Sequence, residues 1–186
     1  MQKIVFLRHG EPDYLVVRER KYIGHGLDLA PLTKDGIKTA EDVSFDNRLD
    51  NAEIIISSPY TRALQTAAII SKNRQLDIKI EVDLHEWMPD LSFRYSSREE
   101  SLRASELCLE YKGVCPSDSK IKFENLEDVF KRAKKALLRY KKHEKIIVVT
   151  HCIVMRQFAF APDIPFCGIL EVDFDESFLW IGSLPL

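Results

Sequence analysis

Four stretches of the chain carry residues able to grip an anion and move a proton: Arg8-His9-Gly10-Glu11, Ser57-Ser58-Pro59 leading to Arg62, His85-Glu86, and Thr150-His151. Singly, each has an ordinary reading, since an isolated histidine is usually a hydrogen-bonded structural residue and an arginine a surface ion pair. Together they narrow the chemistry. Two guanidinium groups aimed at one crevice repel unless a doubly charged anion sits between them. Guanidinium forks match phosphate oxygens, each charge-assisted bond contributing about 1.5–3 kcal/mol. Gly10 lets the backbone approach such an anion closely. The expected ligand is a phosphate group.

A shared crevice requires that these stretches end neighbouring elements, and the flanking pattern supplies them. Four apolar, β-branched runs at 4–7, 54–56, 78–82 and 146–149 have strand length and polar borders. Each functional stretch follows one of them, and in open α/β sheets ligands bind at the carboxyl ends of the strands. Helical spacing lies between: 125–143 repeats Leu126, Val129, Phe130, Ala133, Leu137 and Tyr140 at three- and four-residue steps. The lysines and arginines on its other side read as a solvated face rather than a phosphate-binding stripe. Ser58 is placed as the N-cap and Pro59 as the first residue of a helix that holds Arg62 in its first turn. Further helices are expected from Thr33 to about Leu49 and over 97–111, with a terminal hairpin from 169–174 and 178–181. Strands alternating with helices predict an α/β domain with a mostly parallel sheet.

Composition narrows the partners. The chain has 186 residues, 45% of them apolar, enough for one core, and one domain over 1–186 is expected. Lys and Arg number 27 against 29 Asp and Glu, a formal charge of -2, so nothing points to nucleic acid. No apolar run reaches the roughly 20 residues of a membrane helix. The first residues are too short an apolar stretch for a secretory leader, and a cytoplasmic location is expected. Cys108, Cys115, Cys152 and Cys167 contain no C-x-x-C pair, so neither a zinc site nor a disulfide framework is expected.

Beyond Arg8-His9-Gly10-Glu11, the chain carries Asp28 with Pro31-Leu32-Thr33 and Gly36. It also carries Ser57-Ser58-Pro59-Tyr60-Thr61-Arg62-Ala63-Leu64-Gln65-Thr66-Ala67, then Leu84-His85-Glu86 and Val148-Val149-Thr150-His151. In this order the motifs resemble the histidine phosphatase superfamily, also called phosphoglycerate mutase-like, and the resemblance extends from Lys3 to Arg156. It implies a three-layer α/β/α sandwich and a mechanism that needs no metal or other cofactor. Neutral His9 would attack phosphorus and water would hydrolyse the phosphohistidine. Arg8, Arg62 and His151 would hold the phosphoryl oxygens, and Glu86 would serve as general acid and then base. Glu11 and Asp90 are the other carboxylates nearby.

Departures from the family pattern refine the expectation. Mutases of the family carry an Asn a few residues past R-H-G-E, where this chain has Pro12-Asp13-Tyr14-Leu15. Two residues separate Asp28 from Pro31 instead of one, and Asp28 is given no role. Two glycines usual after the second histidine are Cys152 and Ile153; Cys152 is either oxidation-sensitive or a buried inert thiol. A short lid at about 88–125 favours a phosphatase, because a mutase must shield its phosphoenzyme from water. Within it Phe93, Arg94, Tyr95 and Arg98 are candidate substrate contacts or plain lid packing, and His25, between two glycines, lines the crevice mouth or a surface loop. The expected activity is hydrolysis of a small phosphorylated metabolite. The alternatives are a phosphoglycerate-type mutase and a phosphate-recognising regulatory module without turnover. No sequence feature specifies an oligomeric state.

Overall fold

Strands whose side chains are apolar at every position must be covered on both faces, and the computed structural model, which describes residues 1–182, shows how. Five strands, β1 (Gln2–Arg8), β2 (Ile54–Ser57), β3 (Ile78–Ile80), β4 (Lys145–Thr150) and β5 (Ile169–Phe174), form one sheet in the order β3-β2-β4-β1-β5. The first four run parallel and β5 pairs antiparallel with β1. Alternate residues divide between the faces. Ile4, Phe6, Ile54, Ile56, Ile146 and Val148 pack against α5 (Leu126–Leu138), α6 (Cys152–Arg156) and Ala104 and Cys108 of α4 (Arg98–Glu110). Val5, Leu7, Ile55, Ile147 and Val149 pack against Ala63, Ala67 and Ile70 of α3 (Thr61–Arg74). Each fully buried Ile or Leu contributes roughly 1.5–3 kcal/mol. The result is the three-layer α/β/α sandwich.

Two short helices, α1 (Tyr14–Glu19) and α2 (Lys34–Val43), complete the set, with 3-10 segments at Gly24–Leu29, Asn47–Leu49 and Val82–Leu84. Among the described residues no helix is long and apolar enough to cross a membrane.

Several boundaries differ from the sequence reading. The helix expected to reach Leu49 stops at Val43, and β3 ends at Ile80. The helix expected over 125–143 covers Leu126–Leu138, beyond which the chain turns towards β4. No second hairpin strand forms at 178–181. Instead Phe178 packs on Phe130, Phe158 and Phe174, with ring centroids 6.3, 5.7 and 5.6 Å away, and its carbonyl accepts from Lys134 Nζ. Aromatic burial against α5 outcompetes pairing with the free edge of β5.

Register positions the chemistry. Arg8 lies abreast of Thr150 and Ser57 abreast of Val149. The next residues, His9, His151 and Ser58, therefore emerge side by side at the carboxyl edge of adjacent strands.

Candidate active site

His9 and His151 follow the last residues of β1 and β4, and their rings meet edge to face with centroids 5.1 Å apart. Both are buried. His9 Nδ1 lies 2.7 Å from the Gly10 carbonyl, an acceptor only, so Nδ1 carries the proton and Nε2 keeps its lone pair. That lone pair receives the Arg62 Nε hydrogen at 3.1 Å. Burial, then the charge of Arg62 and more weakly of Arg8, hold His9 well below the ordinary imidazole value of 6.5. The ring is neutral at pH 7.

His151 has the opposite tautomer. Its Nδ1 faces Arg62 Nη2 at 3.4 Å, and because a guanidinium only donates, Nδ1 accepts. Nε2 then donates to Ser58 Oγ at 2.7 Å. Burial, Arg62 and His9 lower its pKa as well. The N-cap position of α3 belongs to Tyr60 rather than Ser58, whose hydroxyl accepts the Tyr60 backbone N–H at 3.3 Å and also the proton of a histidine 93 residues away. Arg62 still sits in the first turn, where Thr66 Oγ1 donates to its carbonyl and accepts from Gly10 N.

Gly10 has a steric role at the joint with α2 that the sequence did not show. Its N–H is spent on Thr66, and a Cβ there would lie 2.7 Å from the Gly36 carbonyl. The glycine is required by its close contact with α2.

Asp28, given no role from sequence, is the partner of Arg62. Its Oδ1 accepts from Arg62 Nη1 at 3.0 Å and its Oδ2 from His25 Nδ1 at 3.1 Å. The two arginines thus need no anion to be held in the free chain: Arg62 has Asp28, while Arg8 lies over the Phe166 ring at 4.3 Å and donates to the Ile164 carbonyl. Arg8 Nε, however, is a buried donor with no partner.

Glu86 follows the Val82–Leu84 turn. Its Oε1 accepts from Trp87 N at 2.8 Å, and Oε2 faces Ile153 N of α6 at 3.4 Å. Burial pushes its pKa above the usual carboxylate value of 4.5, against the pull of those N–H groups and of Arg62. The rival carboxylates are occupied elsewhere. Glu11 accepts from Thr33 Oγ1, and Asp90, despite partial burial, is held low by bonds from Ser92, Arg94 and Tyr95.

One member of the presumed solvated stripe on α5 faces inward. Arg132 donates to Glu124 at 2.6 Å and to the carbonyls of Asp83, His85 and Glu86, fixing the loop that carries Glu86. No feature of the stripe distinguished it from its neighbours; its partners lie up to 49 residues away.

Of the remaining candidates, His25 reaches the cluster through Asp28, and Phe93 and Tyr95 pack around it with centroids at 4.4 and 6.1 Å. Arg94 lines a separate cavity of about 360 Å³ with Glu100 and Lys120. Cys152 opens α6; burial and then Glu86 raise its pKa, which disfavours the reactive thiolate. Among the described residues no three His, Cys, Asp or Glu side chains are grouped to hold a metal ion.

Comparison with known proteins bears on the sequence family and the fold. Over 133 residues, 68% of this chain, the sequence is 36% identical to fructose-2,6-bisphosphatase TIGAR of Xenopus laevis, and the match spans 45% of that relative's length. A mycobacterial glucosyl-3-phosphoglycerate phosphatase superposes with a TM-score of 0.70 at 16% identity, covering 95% of this chain and 92% of that one. YhfR of Bacillus stearothermophilus gives 0.69 at 22% identity, over 98% of each. A phosphoserine phosphatase of Entamoeba histolytica gives 0.66 at 21%, over 99% and 97%. These structural likenesses concern the fold. The family model described as histidine phosphatase superfamily (branch 1) matches residues 4–161, spanning every element that carries Arg8, His9, Arg62, Glu86 and His151, and the chain belongs to that superfamily.

Proposed function

We propose that the chain is a phosphatase that hydrolyses a small phosphomonoester through a phosphohistidine at His9. The observation that carries this reading is the neutral, buried His9, whose tautomer leaves the Nε2 lone pair facing Arg62. Phosphate oxygens would displace that contact and recruit Arg62, the partnerless Arg8 Nε and His151. His9 Nε2 then forms a bond to phosphorus as the ester P–O bond breaks, and the Glu86 proton goes to the leaving oxygen. In the second half Glu86 takes a proton from water, whose oxygen attacks phosphorus; the P–N bond breaks and neutral His9 and inorganic phosphate result. A carboxyl group whose hold on its proton is strengthened by burial suits the first step, and general acid–base help of this kind contributes about 100- to 10,000-fold. The lid at about 88–125 is short, which favours water as the acceptor over a reoriented intermediate. The relative named a fructose-2,6-bisphosphatase supports a small phosphorylated metabolite as the substrate class.

The test is hydrolysis of an aryl phosphate with excess chelator by the native chain and by His9→Ala. Chelator-resistant turnover that disappears with His9, together with an acid-labile, base-stable phosphoenzyme, is the expected result. Substantial turnover by His9→Ala would overturn the mechanism. Phosphate-ester binding without turnover by the native chain would favour a recognition module.

A further inference from the structure

Each nitrogen of the Arg62 guanidinium has its own partner: Nε the lone pair of His9, Nη2 that of His151, and Nη1 the carboxylate of Asp28. Once phosphoryl oxygens take over the hydrogens now aimed at the histidines, Asp28 is what remains to set the direction of the guanidinium. Asp28 is poorly fixed by its own backbone, a 3-10 segment containing Gly24 and Gly26, and the torsion that turns an aspartate carboxylate is broad. A carboxylate bonded at one oxygen swivels, and one bonded at both does not. His25 supplies the second bond. Its Nδ1 lies 3.1 Å from Asp28 Oδ2, and because a carboxylate only accepts, Nδ1 carries the proton. The Tyr60 hydroxyl is 3.4 Å from the same nitrogen, while Nε2 is buried with no partner among the described residues. The hydrogen bonding of the ring is thus directed from Nδ1 alone, which a residue serving only to fill space would not require.

The ring also meets the lid. Phe93 and Tyr95 pack on it with centroids at 4.4 and 6.1 Å. A Cβ at Gly24, whose φ is +53°, would come within 3.3 and 3.4 Å of the Phe93 and Tyr95 carbonyl oxygens, so the lid backbone lies directly on this turn. Asp90 shapes that stretch by accepting from the N–H groups of Ser92, Arg94 and Tyr95, with Phe93 between them in the left-handed region at φ 61°. We propose that His25 is a positioning residue: it fixes the Asp28 carboxylate that orients Arg62, and Phe93 of the lid holds it there, so that the grip on the phosphoryl group depends on the lid being seated. The inference rests on the phosphatase reading in one respect only, that Arg62 holds phosphoryl oxygens.

The test is a set of variants assayed for hydrolysis of nitrophenyl phosphate and, by calorimetry, for binding of inorganic phosphate. His25→Ala is expected to lower both kcat and phosphate affinity, with kcat/KM down roughly 10- to 100-fold, the scale of loss from a misplaced catalytic group. His25→Asn, whose amide nitrogen falls where Nδ1 lies, should recover most of that loss. His25→Gln, whose amide nitrogen falls where Nε2 lies, should not. In a chain that also carries Asp28→Ala, His25→Ala should cost nothing further, because its route to Arg62 is already cut. Phe93→Ala should reproduce part of the loss and likewise add nothing to His25→Ala. Melting temperatures establish that each variant is folded, and the His25→Asn and His25→Gln pair decides the matter where Asp28→Ala does not fold. Native turnover and phosphate affinity in His25→Ala, equal behaviour of the Asn and Gln variants, or additive losses from His25→Ala and Asp28→Ala would overturn the proposal. An unaffected Phe93→Ala would overturn its lid part. The phosphatase reading fails separately: a native chain that binds phosphate without hydrolysing the ester loses that reading, and the same comparisons are then read from phosphate affinity. A native chain that binds no phosphate loses both.

Discussion

At the scale of single residues, the assignment of Glu86 turns on its surroundings more than its position in sequence. A carboxyl group that must donate a proton near neutral pH needs its acid form stabilised, and burial does this while the Trp87 N–H pulls weakly the other way. Gln at this position keeps the shape and an acceptor oxygen for Trp87 but supplies no acidic proton. We expect Glu86→Gln to lower kcat for alkyl phosphates by about 100- to 10,000-fold. Nitrophenyl phosphate, whose leaving group needs little protonation, should slow far less. Steady-state rates across a series of leaving groups check this. Equal slowing of all of them would move the acid role to another group.

Elements hold those residues in place, and the tightest joint is between the turn after β1 and the start of α2. A Cβ at Gly36 would lie 2.5 Å from the Glu11 carbonyl oxygen and 2.8 Å from its nitrogen, both backbone atoms that cannot swing aside. Gly36→Ala must therefore push the His9–Glu11 turn away from α2, at a cost of about 1–3 kcal/mol typical of overpacking. A lower melting temperature and reduced turnover should appear together; a variant with native values for both would show that the joint yields. The elements themselves were legible because strands covered on both faces have uninterrupted apolar runs, and because α3 and α5 keep helical spacing. What escaped was long-range. Ser58 looks like a cap until His151 arrives from β4, Asp28 looks idle until Arg62 reaches it across 34 positions, and Arg132 hides among surface lysines until its carbonyl partners fold beneath it. Local pattern has no access to partners of that kind. The segment at 178–181 failed for another reason: its aromatic content suits a strand and a packed cap equally, and only the packing of Phe178 against Phe130 and its neighbours decides between them.

For the whole molecule, gathering neutral histidines and a carboxyl group with a raised pKa in one cluster makes stability depend on pH. His9 and His151 have folded values well below 6.5, and His85 is lowered too, chiefly by burial and then by Arg132. Below pH 6.5 the unfolded chain binds protons at these rings while the native chain does not, so folding stability falls as pH drops towards the folded values. The slope approaches about 1.4 kcal/mol per pH unit for each of His9 and His151. Glu86 works in the opposite sense, because its folded value is raised. Its contribution is fully present below the ordinary 4.5 and declines as pH rises from there through the folded value, since the unfolded carboxyl ionises while the native one keeps its proton. Between pH 4.5 and the folded value of Glu86 the two effects oppose each other, and the histidines, being more numerous, prevail. Urea unfolding from pH 5 to 8 should therefore show stability rising to about pH 6.5, and the rise should be no shallower in Glu86→Gln, where the opposing carboxyl is gone. A profile that stays flat below pH 6.5 in both chains would mean that His9 and His151 are protonated in the native cluster, and a charged His9 has no lone pair with which to attack phosphorus.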